Sequence, residues 1–143
     1  MKVLFDGHIF VGFEADNGAS ELLKTLVTEA KIVVLVPRVV QDELTARAGG
    51  MPDWLPFSAI TDSVAVAGIA VAGAARGGDA DGVFKAHLGE SLTNGRDAVI
   101  AATANSDVDI LVSDDCRCRE RAKQFARCES LTYEQFVERL QSL

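Results

Sequence analysis

Cysteine is scarce in this chain. There are three, Cys116, Cys118 and Cys128, an odd number with two of them one residue apart. That pattern is a poor disulfide framework and agrees with a reducing compartment. No histidine stands beside them and a fourth ligand is missing, so a zinc or copper site lacks its donors. Long apolar runs are also lacking. The longest, IVVLV at 32–36 and an Ala/Val/Gly stretch at 64–75, fall short of the ~20 residues of a membrane span. Lys2 is followed by only three apolar residues before Asp6, too few for a secretory signal. A cytoplasmic protein without a membrane partner is expected. There is no P-loop, and the glycines at 73, 77 and 78 follow no clear strand, so no dinucleotide fingerprint forms.

Positive charge is in deficit as well. The net charge is −7, which does not suit a general nucleic-acid binder. What the chain does have is the composition of a folded domain: 48% hydrophobic and 24% charged residues over 143 positions. Those values argue against disorder, and the length suits one domain, 1–143, with a single core.

KVLF (2–5) reads as a short buried strand. Residues 7–17, with three glycines ahead or within reach, read as a loop with one helical turn. Ser20 suits an N-cap, and Leu22, Leu23, Leu26, Val27 and Ala30 form a helical stripe. IVVLV is apolar throughout, as strands covered on both faces are. Pro37 suits the first position of a helix carrying Val39, Val40, Glu43 and Leu44 and ending at Gly49-Gly50. MPDWLPF (51–57) is irregular or an edge, 64–75 is helical, and RGGDADG (76–82) is a loop. Asn94 caps a slim helix rich in alanine. DILVS (109–113) is a third strand, and a basic helix runs from about Arg117 to Ala126. A short strand near 127–131 precedes a last helix with a Thr132/Gln135 capping box and a stripe of Phe136, Val137 and Leu140. Strands alternating with helices predict a parallel sheet with helices on both faces.

Ligands of such sheets bind beyond the carboxyl ends of the strands. Asp6 follows the first strand, and Asp114 and Asp115 follow DILVS. Glu43 and Asp97 sit in helices among apolar neighbours. Taken singly, each also reads as a helix cap or a charge placed to suit a helix dipole. His87 and Glu90 read as peripheral. Asp79 and Asp81 lack the further ligands of a calcium loop, and Asp62, Asp107 and Asp109 read as turn acids.

Four segments together resemble the PIN-domain ribonucleases. MKVLFDGHIF resembles their opening strand ending in Asp, and VPRVVQDEL their second motif, with Glu43. NGRDAVIAATA is similar to the third, a helix beginning with Asp, and ILVSDD to the fourth, where a hydroxyl residue precedes the last acid. The four come in the family's order across residues 3–115. The resemblance implies a three-layer α/β/α sandwich around a parallel sheet, and a divalent-metal-dependent endoribonuclease. It implies an acidic quartet of Asp6, Glu43, Asp97 and Asp115, with Ser113 supporting them. It also implies the toxin of a toxin–antitoxin pair whose antitoxin would offer an arginine to the acids; the apolar faces of the 64–75 helix and of the loop after the first strand suit a homodimer, as in many proteins of that family.

The chemistry makes independent sense of the set. Hard Mg²⁺ or Mn²⁺ ions prefer carboxylate oxygens, acidify an attacking water and stabilise a leaving oxygen. One such ion takes the net charge from −7 to −5 and two take it to −3, which still opposes RNA. Local basic surface is therefore required. Arg119, Lys123 and Arg127 stand at i, i+4, i+8, with Arg117 and Arg121 one row over. They read as phosphate contacts or as a solvated face. Arg96 reads as a phosphate contact or as a partner of the acids.

The chain departs from the family at Gly7 and His8, where a hydroxyl and an amide are usual. His8 has three readings: a hydrogen-bond donor behind the acids, a packing residue, or a ligand shifting preference toward Mn²⁺. The departure motivates an alternative to catalysis, a PIN-like binding or scaffold module.

Overall fold

The computed structural model describes residues 1–54, 58–60, 108–125 and 128–143. Several sequence expectations lie outside the described residues: the helices at 64–75 and after Asn94, the 76–82 loop, His87, Glu90, Arg96, Asp97 and Arg127. The elements are β1 (Lys2–Phe5), α1 (Gly7–Ala15), α2 (Asn17–Thr28), β2 (Val33–Pro37), α3 (Arg38–Ala46), β3 (Ser58–Ile60), β4 (Ile110–Val112), α4 (Cys116–Phe125), β5 (Glu129–Leu131) and α5 (Tyr133–Gln141). The strands form one parallel sheet in the order β3-β2-β1-β4-β5.

β1 is central because it is apolar on both faces: Val3, Leu4 and Phe5 are fully buried. Val3 pairs with Val34 on one side and Ile110 on the other. α1 packs on α2 and α3, while α4 packs on β4 and β5; the right-handed crossovers that parallel strands require put the two groups on opposite faces. α5 returns to the first face, where it packs on α2. The arrangement is α/β and compatible with three layers. Among the described residues no helix is long and apolar enough to cross a membrane.

The largest correction concerns residues 7–15. They form a full helix, not a loop with one turn. Ile9, Phe10 and Phe13 lie on its buried side, and Phe5 packs against Phe10 at 5.6 Å, Phe13 at 5.7 Å and Phe136 at 5.5 Å. Burial of that aromatic cluster outweighs the ~1 kcal/mol a glycine costs in a helix. Gly12 has its own reason to be there. A Cβ at this position would lie 3.0 Å from the Tyr133 ring, which is packed edge-on against Phe13 at 4.9 Å. The ring has little room to yield, because the Tyr133 backbone N–H is held by Asp114 at 2.9 Å. Gly12→Ala is therefore expected to destabilise the protein by about 1–3 kcal/mol despite alanine's better helix propensity. Thermal denaturation of the variant checks this: an unchanged or raised midpoint would show that the ring does yield.

Two smaller corrections follow. Ser20 does not cap α2; Asp16 does, accepting from the Ala19 N–H at 3.0 Å. Ser20 lies within α2, and its hydroxyl donates to the Phe13 carbonyl, tying α2 to α1. Pro37 ends β2 in an extended conformation (ψ 152°), and the helix begins at Arg38 and closes at Ala46, ahead of the glycines. The capping box of α5 forms as expected: Gln135 N–H donates to Thr132 Oγ1 at 3.2 Å and Thr132 N–H to Gln135 Oε1 at 3.0 Å.

Tyr133 is the chain's one tyrosine. Burial, then the carboxylates of Asp16 and Asp114, push its phenol up to about 12. An unfolded tyrosine ionises near pH 10. Below that pH the residue is neutral in both states and contributes no pH dependence. From pH 10 toward 12 only the unfolded state loses its proton, so stability falls as pH rises. Tyrosinate absorbance in the native protein is expected to appear near pH 12, and to appear near pH 10 in urea. Native ionisation at pH 10 would contradict the buried placement.

Candidate functional site

The strand order reverses between β1 and β4. β2 and β3 lie on one side of that line and β5 on the other. Open parallel sheets bind ligands in the crevice beyond the carboxyl ends of the strands at such a reversal. The chain leaves β1 into α1 and β4 into α4, so two helix N-termini open onto this one edge. Both favour negative charge.

Asp6 and Ser113 stand side by side there, each one residue past paired strand ends, Phe5 and Val112. The Asp6 N–H continues the ladder by donating to the Val112 carbonyl at 3.1 Å. Its carboxylate is 1% exposed. Oδ1 accepts from the Gly7 N–H at 2.6 Å and caps α1; Oδ2 accepts from the Ser113 hydroxyl at 2.8 Å. Ser113 is fully buried, and its Oγ also accepts from the Asp115 N–H at 3.2 Å. One hydroxyl thus links the two strand-end acids.

The neighbouring aspartates divide their work. Asp114 Oδ1 accepts from the Tyr133 N–H and serves the start of α5. Asp115 Oδ1 accepts from the Arg117 N–H at 2.8 Å, at the start of α4. Among the described residues no hydrogen bond reaches Asp115 Oδ2, and the side chain is 30% exposed. It can take a ligand without breaking its cap.

Glu43 is exposed on α3, and His8 is exposed in the first turn of α1. Asp97 lies outside the described residues. Among the described residues no three His, Cys, Asp or Glu side chains come together as a metal cluster. The donors present are hard oxygens, which fit Mg²⁺ or Mn²⁺ and not a soft metal.

The basic helix splits into different roles. Arg117 is 70% exposed, with its Nε 3.9 Å from Asp115, a weak surface pairing. Lys123 pairs with Glu120 at 3.2 Å, both exposed. Arg121 is partly exposed, and its Nη1 is buried with no hydrogen-bond partner among the described residues. Arg119 Nη1 donates to the Ser113 carbonyl at 2.7 Å. Sequence reasoning did not find that bond: six residues separate the pair, and no local pattern marks it.

A second concavity of about 180 Å³ lies elsewhere, between α1, α2 and Trp54. Its Glu14 carboxylate is committed to the forked Arg47 guanidinium, which holds it below the usual carboxylate range. Lys24 lies over the Trp54 ring at 5.8 Å. Cys118 and Cys128 are buried, and burial pushes the Cys128 thiol up; Cys116 is exposed at the start of α4. A comparison of the chain with known family models and with curated proteins finds no match in either.

Proposed function

We propose that the protein is a PIN-like, Mg²⁺- or Mn²⁺-dependent endoribonuclease whose chemistry is centred on Asp6 and Asp115. One observation carries the reading: the two acids flank a buried Ser113 hydroxyl at the carboxyl edge where the strand order reverses. The order of four sequence motifs supports it, and Glu43 and Asp97 complete the expected quartet. A divalent ion bound there would acidify a water and stabilise the leaving oxygen of a phosphodiester.

The protein's own residues prepare the site. Asp6 is fixed by the first turn of α1 and by Ser113. Asp115 is partly exposed, and among the described residues its Oδ2 accepts no hydrogen bond. The two helix N-termini favour a phosphate arriving at this edge. Arg117 and Lys123, both exposed, supply local positive charge to an acidic chain. An antitoxin partner and a toxin role belong to the same reading through the family resemblance, and a homodimer through the apolar 64–75 segment.

A second reading is a binding or scaffold module without catalysis. It is favoured by the full engagement of Asp6: both carboxylate oxygens accept hydrogen bonds, and both strand-end acids serve as helix caps. Calorimetric titration with Mn²⁺ separates the two. Micromolar binding, together with metal-dependent cleavage of single-stranded RNA, supports the nuclease. Absence of both removes it in favour of the module.

A further inference from the structure

We propose that Arg119 is a positioning residue of the carboxylate site: its hold on the Ser113 carbonyl fixes the corner that spaces Asp6 and Asp115. The proposal rests on the cation reading above.

Ser113 is bonded in four directions. Its N–H donates to the Leu131 carbonyl at 3.0 Å, continuing the sheet toward β5. Its hydroxyl donates to Asp6 and accepts from the Asp115 N–H. Its carbonyl lies past the end of the β1–β4 ladder, whose last bond there ends on the Val112 carbonyl. The donor at that carbonyl is the Arg119 guanidinium, on the helix the chain is about to enter. Ser113 is fully buried, so an unmet carbonyl at this point would be costly.

The bond is charge-assisted, which makes it among the stronger ones in the region. It also sets a positive charge behind a residue bonded to the Asp6 carboxylate and to the Asp115 N–H. One of the five guanidinium N–H groups is spent on this bond, which ties the head of Arg119 to the strand end. Arg119 is partly buried, whereas Arg117 and Lys123 on the same helix are exposed. The helix thus has one residue holding the site from behind and others facing solvent.

Two variants separate the donor from the packing. Arg119→Met keeps an apolar stem and removes the donor. Arg119→Lys keeps a charge and one donor. Amide hydrogen exchange in the metal-free protein reads the corner directly. In Arg119→Met the Asp115 amide is expected to exchange about tenfold faster, with the Leu4 and Leu111 amides unchanged. Calorimetry is expected to show Mn²⁺ affinity about 10–100-fold weaker, as for other residues that orient ligands from behind. Arg119→Lys is expected to restore most of both.

Unchanged exchange at Asp115 would overturn the proposal. So would faster exchange throughout the sheet, which would make Arg119 a general stabiliser of the fold. Wild-type Mn²⁺ affinity in Arg119→Met, or Arg119→Lys behaving no better than Arg119→Met, would overturn it as well. A wild type that takes up no Mn²⁺ sinks the cation reading, and the proposal with it. That result is read from the wild type alone and cannot be confused with failure of the Arg119 assignment.

Discussion

Under the proposed nuclease function, Asp6→Asn is expected to lower metal-dependent cleavage of single-stranded RNA about a thousandfold and to leave the fold standing. A bound cation is worth several kcal/mol of transition-state charge stabilisation, and each ~1.4 kcal/mol is tenfold in rate. An amide has neither the charge nor the second anionic oxygen to hold a hard ion. The structural cost is much smaller. Asparagine is isosteric, and its Oδ1 still accepts from the Gly7 N–H as an N-cap. Its NH₂ group then faces the Ser113 hydroxyl, which loses its acceptor. That mismatch costs about 1–2 kcal/mol. The decisive pair of measurements is the cleavage rate with Mn²⁺ and the thermal midpoint of the same preparation. Wild-type cleavage by a folded Asp6→Asn would end the catalytic assignment. Loss of both activity and folding would show instead that the carboxylate's main work is structural.

Phe5→Ala carries the largest expected loss of stability, about 3–5 kcal/mol. Phe5 is fully buried, and its ring meets Phe10, Phe13 and Phe136, joining β1 to α1 and α5. Truncation removes apolar burial and leaves a cavity between three rings that are held by their own helices. Domains of this size have about 5–15 kcal/mol in total, so the variant would stand near the folding threshold. Phe5 also immediately precedes Asp6, so a shift of the strand end would be felt at the site. Val11, which is 54% exposed on α1, gives the control: Val11→Ala is expected to change stability by less than ~0.5 kcal/mol. Urea midpoints of the three proteins decide the matter. A Phe5→Ala cost no larger than that of Val11→Ala would mean the aromatic cluster does not organise the core.

The elements most legible in the sequence were those set by burial alone. KVLF and IVVLV have no amphipathic pattern because, apart from Val33 at the start of β2, both faces are covered, and that property marks them as inner parallel strands. The Thr132/Gln135 cap was legible because both of its bonds are local. α1 was hidden for the opposite reason. Gly12, which breaks the helical pattern on paper, is small because Tyr133 approaches from 121 positions further on. Asp16 and Ser20 both have capping side chains, and only the start of α2 tells them apart. Asp114 and Asp115 are adjacent and chemically identical; what separates them is which helix each faces. Likewise a row of arginines on a helix shows its spacing but not which guanidinium turns inward to a strand end.

The central position of β1 has a consequence for how the protein is made. One of its two flanking partners is β2, which follows after a short helical excursion; the other is β4, more than a hundred residues later, as the 107-residue separation of Asp6 and Ser113 records. Loop closure over that distance is slow relative to local pairing. On the ribosome, β1 and β2 can associate early, while one edge of β1 waits unpaired with its backbone groups open to misassociation. The same wait leaves Asp6 without Ser113 until β4 has emerged. Until β4 has paired with β1 a nascent chain lacks the Asp6–Ser113 contact, and the activity proposed here would await that pairing.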